Sequence, residues 1–130
     1  IAEKKLLRGE KRDIMIDRLP AIISKQELKE AQSLVQKVIS SEAIIDYIIS
    51  ILNFSRNHKD FLDLSPRSGL DLHQAAKAWA FLESRDHVLP EDVQAVASSV
   101  IGHRLVKAES ASVQLEKELA AEIIKQIEVL

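Results

Sequence analysis

The chain has 130 residues, a formal net charge of −2 and no cysteine. That length carries one domain with a real core. The charge balance gives no basic excess of the kind duplex binding uses. Without cysteine there is no disulfide framework, no thiolate zinc site and no cysteine nucleophile, a composition compatible with a reducing cytoplasm.

Residues 2–12 read as a charged helical stretch in which Leu6 and Leu7 supply the apolar contacts. The cations Lys4, Lys5, Arg8, Lys11 and Arg12 alternate with Glu3, Glu10 and Asp13, the pattern of a solvated face rather than of a nucleic-acid patch. Pro20 prevents this stretch from continuing unbroken. Ser24-Lys25-Gln26-Glu27 has capping-box spacing and opens a helix with Leu28, Ala31, Val35 and Val38 on its inner side. Ser40 or Ser41 starts the next helix. Its stripe of Ile44, Ile48, Ile51 and Leu52, widened by Ile45 and Ile49, predicts a place near the centre of a bundle.

Residues 57–64 connect to a helix with Ser65 as cap and Pro66 at its first position. Leu72, Ala75, Ala76, Trp79 and Leu82 are its expected buried side, and full burial of Trp79 would make its truncation cost about 3–5 kcal/mol. The period breaks over residues 85–89, where Val88 fits a short extended piece. Pro90-Glu91-Asp92 then opens a helix with Val93, Val96, Ala97, Val100 and Ile101 inside and Gly102 as a candidate interruption. Leu115, Leu119, Ile123 and Ile127 mark a last amphipathic helix. With only three glycines and three prolines, the chain reads as all-α, a compact bundle of five or six helices with little or no strand.

Most site chemistry has no signature here. Gly9, Gly69 and Gly102 are isolated, so there is no phosphate loop. His58, His73, His87 and His103 lack the spacing of a helical zinc site. No nucleophile elbow is present. The Pro90 helix leads with Glu91 and Asp92, which repel a phosphate backbone. No apolar run reaches membrane-spanning length.

Arg67 is the exception. It falls in the first turn of a helix, where the dipole is already positive and a cation is disfavoured. A guanidinium beside free helix N–H groups suits an anion such as phosphate, whereas pairing with Asp63 or Asp71 would make it a surface arginine.

Several motifs, in order, carry a family resemblance. They are Ile45-Asp46-Tyr47-Ile48, Ser65-Pro66-Arg67, residues 75–80 (AAKAWA), residues 85–93 (RDHVLPEDV) and His103-Arg104-Leu105. Together they resemble the C-terminal lid of MoxR-type AAA+ ATPases, to which the lids of magnesium-chelatase ATPase subunits are related. The resemblance covers about residues 2–105. It implies a lid over residues 1–106; the tail after Leu105 does not match strongly, and its amphipathic helix over 107–130 is expected to pack on the lid or on a neighbouring subunit. It also implies a parent with an ATPase core, consistent with a chain beginning at Ile1, that uses ATP and Mg2+ and assembles into a ring.

In that family the lid couples hydrolysis to chaperone-like remodelling of partner proteins, often ones with a metal-dependent adhesion-type domain. Arg67 falls at the sensor-2 position, with Ser65 and Pro66 shaping the helix start, and no catalytic residue or metal ligand is expected within these residues. The sequence departs from the pattern at Leu89, where many relatives carry a capping threonine. Loss of that cap would cost about 1 kcal/mol unless leucine burial offsets it. The alternative is a free-standing helical interaction module that docks a partner helix without nucleotide chemistry.

Overall fold

The computed structural model describes residues 12–57, 62–105 and 113–127. The stretch expected over residues 2–12 therefore lies almost wholly outside the described residues. Six helices are present among them: α1 (Arg12–Asp17), α2 (Lys25–Lys37), α3 (Glu42–Asn57), α4 (Pro66–Leu82), α5 (Pro90–Leu105) and α6 (Val113–Gln126). The all-α class is as expected. The one extended feature among the described residues is an isolated parallel bridge between Ile39 and His87, with Ile39 N–H donating to Asp86 O (2.8 Å) and Val88 N–H to Ile39 O (2.9 Å).

The chain divides into two compact units, residues 1–31 and 32–130. In the first, α1 ends in a turn closed by Leu19 N–H on Ile16 O (3.0 Å). The capping box at the start of α2 forms as its spacing demands. Glu27 N–H donates to Ser24 Oγ (3.1 Å), and Ser24 N–H donates to Glu27 Oε2 (2.6 Å). Hydrogen bonding from Ser24, its backbone N–H foremost, holds the Glu27 carboxyl below its ordinary range. Leu28 is 47% exposed, contrary to the inner-face expectation. Periodicity marks a face but not how many turns of it are covered.

The second unit holds the core. Ile44, Ile48, Ile51 and Leu52 from α3 meet Leu72, Ala76 and Ala80 from α4, Val93, Ala97, Ile101 and Leu105 from α5, and Ala120 and Ile123 from α6. The strongest packing is of α5 against α4 and α6. Along α4 the covered positions Ser68, Leu72, Ala76 and Ala80 recur every fourth residue, one straight ridge of mostly small side chains. Gly69 lies beside that ridge. A methyl there would stand 2.8 Å from Leu52 Cδ1, so glycine lets α3 approach closely.

That close approach explains where the expectations fail. Trp79 is 41% exposed and Leu82 72% exposed. Each residue turns a helix by about 100°, so Trp79 stands off the alanine ridge and Leu82 faces away from it. An indole could not enter a contact set by alanines, and truncating a half-covered ring costs less than emptying a filled core site. Ile49 is likewise exposed, one residue off the α3 stripe. Gly102 does not interrupt α5. The helix continues to Leu105 with Gly102 buried inside it.

Candidate functional site

The start of α4 is built by four chain segments. Ser65 has extended backbone (φ −74°, ψ 160°) and its hydroxyl accepts from Ser68 N–H at 3.4 Å, while Pro66 occupies the first turn. The preceding residue, Leu64, is buried and held through both of its backbone polar groups. Its N–H donates to Ser55 Oγ (3.1 Å), and its carbonyl accepts from Arg56 Nε (3.1 Å). Ser55 is itself buried, donating to Leu52 O (2.8 Å). The end of α3 therefore fixes where α4 begins. The end of α5 adds a third tie, through Leu62 N–H on Leu105 O (3.2 Å).

Arg104, on the last turn of α5, reaches the same place. One amino group donates to Ser68 Oγ (3.1 Å) and the other to Asp71 Oδ2 (2.9 Å). Arg104 thereby anchors the end of α5 to α4, across helices rather than within one. Arg67 lies between these tied groups, on the exposed side of α4. Among the described residues its guanidinium has no hydrogen-bond or ion-pair partner. The alternative in which Asp71 neutralises Arg67 does not hold, because Asp71 is committed to Arg104, and Asp63 does not pair with Arg67 either.

The other end of α4 is arranged differently. Ser84 takes a left-handed backbone (φ 59°), and Arg85 turns back to grip Asp92 with both amino groups, Nη1 to Oδ2 at 2.6 Å. Asp92 is almost wholly buried, and the Arg85 bonds outweigh that burial and hold its carboxyl below the ordinary aspartate range. Asp92 also supplies the reciprocal half of a capping box at the start of α5. Leu89 N–H donates to Asp92 Oδ2 (2.8 Å) and Asp92 N–H to Leu89 O (3.0 Å). Leu89 is 37% exposed, so side-chain burial is not what compensates there.

Midway along α4, His73 Nε2 and Ser40 Oγ are 2.7 Å apart. Partial burial, then the nearby Lys77 charge, push the His73 pKa down. Among the described residues no group of three or more His, Asp or Glu side chains is placed to hold a metal ion. No helix among them is long and apolar enough to cross a membrane.

The sequence singled out Ser65, Pro66 and Arg67, and the structure brings them together at one helix start. It did not single out Ser55 or Arg56, it named Asp71 only as a partner for Arg67 rather than for Arg104, and it read Gly69 only as an isolated glycine rather than as the close approach of α3 to α4. Asp92 was read only as an acid beside a helix dipole, and its pairing with Arg85 is the missed part.

Comparison with known proteins agrees with this architecture. Residues 57–127 match the AAA lid domain family. The uncharacterized protein YeaC of Bacillus subtilis is 33% identical over 118 residues, covering 88% of this chain and 37% of that protein. The chaperone MoxR1 of Mycobacterium tuberculosis is 28% identical over 113 residues, covering 79% of this chain and 29% of that protein. The protein MoxR of Paracoccus denitrificans is 50% identical over 42 residues, covering 32% and 12% respectively. A solved structure from Cytophaga hutchinsonii, described as a "putative ATPase", superposes with a TM-score of 0.70 at 27% identity, covering 84% of this chain and 37% of that one. The chain thus spans little more than a third of these relatives at most. Helical architecture, the matched segment and these relatives agree: the chain belongs to the AAA lid domain family, as a lid of the MoxR type.

Proposed function

We propose that this lid senses bound nucleotide through Arg67 and passes the state of the nucleotide to the rest of its parent ATPase. One observation carries the reading. Arg67 stands exposed on the first turn of α4 with no partner among the described residues, while the carboxylate one turn away is held by another arginine. An exposed guanidinium with no polar partner among the described residues gives the fold little, yet sits where helix N–H groups already favour an anion.

In the parent, ATP with Mg2+ supplies the phosphoryl chemistry, and no described residue of this chain is assigned to the metal. Arg67 donates to oxygens of the terminal phosphate, and its planar fork can engage two at once. Ser65 and Pro66 fix the direction in which α4 begins, and the bonds from Ser55 and Arg56 to Leu64 keep that start in register with the core. Loss of the phosphate removes the contact. Because the helix start is tied rigidly to α3 and α5, the bundle would answer as one body rather than by fraying at one loop.

The same proposal places the chain in the cytoplasm. It packs there against its own AAA+ core and neighbouring ring subunits, in a chaperone-like machine acting on partner proteins, those with a metal-dependent adhesion-type domain among them. The test is Arg67→Ala in the polypeptide that includes the ATPase core. Hydrolysis, or its coupling to the client, should fall while the lid stays folded by circular dichroism. Unchanged turnover and unchanged response to ATP would refute the sensing role.

A further inference from the structure

We propose that Arg104 is a positioning residue: by occupying the Asp71 carboxylate it keeps Arg67 free to meet a phosphate. This rests on the reading of Arg67 as the phosphate-contacting residue. Asp71 follows Arg67 by one helical turn, the spacing at which opposite charges on a helix surface attract each other. Left alone, Asp71 would draw Arg67 down onto α4, and an uncompensated carboxylate one turn from the phosphate would repel it.

Arg104 removes both effects. Its two amino groups are held by different acceptors, Ser68 Oγ at 3.1 Å and Asp71 Oδ2 at 2.9 Å. Ser68 is buried and fixed by the Ser65 cap, so the Arg104 fork is already oriented when it meets Asp71. Arg67 has no such second anchor and would surrender more side-chain freedom to make the same pair. Asp71 and Arg104 remain partly exposed, at 40% and 36%, so exchange of one arginine for the other needs no unfolding.

Two measurements test this. The first uses the 130-residue chain. In Arg104→Ala, and in Arg104→Gln, which keeps a polar side chain without the charge, a crystal structure or slowed exchange of the Arg67 Nε–H in NMR should report Arg67 paired with Asp71. Adding Asp71→Ala should release it. An Arg67 that stays unpaired in both single variants overturns the proposal.

The second uses the parent with its ATPase core. Arg104→Gln should raise the KM for ATP by about 2- to 5-fold, the range expected for competition from one exposed ion pair. Asp71→Ala in the same polypeptide should bring it back. A purely structural Arg104 predicts the opposite, a double variant no better than the single one. An inert Arg67→Ala in this assay would sink the sensing role and leave the pairing result standing, so the two failures can be told apart.

Discussion

The two ends of α4 use arginine in opposite ways. At its C-terminal end Arg85 closes on the buried Asp92, and both groups are consumed in holding the turn from α4 into α5. At its N-terminal end Arg67 is presented on a frame of tied backbone, with Arg104 engaging the one carboxylate it could have reached on its own helix face. The side-chain chemistry is identical. Burial of the partner and prior commitment of the nearby acid decide which arginine is part of the structure and which is available.

The largest expected effect lies at the Arg85 end. Asp92→Ala removes the buried carboxylate from Arg85 and the acceptor from Leu89 N–H, and should destabilise the chain by about 2–3 kcal/mol in denaturant titrations. A loss under about 1 kcal/mol would mean that this ion pair is not what holds the turn. At the other end, Ser65→Ala removes a cap bond that is already long, and about 0.5–1 kcal/mol should be lost by the same measurement.

His73, between the two ends, gives a pH signature. Its folded pKa lies below the ordinary 6.5, so the unfolded chain takes up the proton first as pH falls. The stability due to neutral His73 is therefore complete above that value and declines below it. His73→Gln, which keeps an acceptor for Ser40, should flatten the stability profile in that window, and an unchanged slope would assign the titration elsewhere. The smallest effect belongs to Arg67. Arg67→Ala should shift the unfolding free energy by less than about 0.5 kcal/mol, and a larger loss would show that it supports the bundle after all.

Much of the helical plan was legible from local chemistry. The Ser24 box, the Ser65-Pro66 start and the Pro90 start each depend on residues within one turn of each other, and each forms. Arg67 stood out for the same reason, since a cation in a first turn conflicts with the dipole wherever the helix is placed. Trp79 and Leu82 were misread because apolar character does not reveal how closely two helices approach. The ridge built from Ala76 and Ala80 brings them too near for an indole between them.

What the sequence determined by itself was where helices begin, which stripes are apolar and which arginine lacks a local reason to be there. Only the tertiary structure decided that Arg104 takes Asp71, that Ser55 and Arg56 hold Leu64, and that Arg85 takes Asp92. The physical reason is range. Caps and stripes follow from bond geometry over one turn, whereas side-chain pairs between helices exist only once packing has fixed their crossing and register.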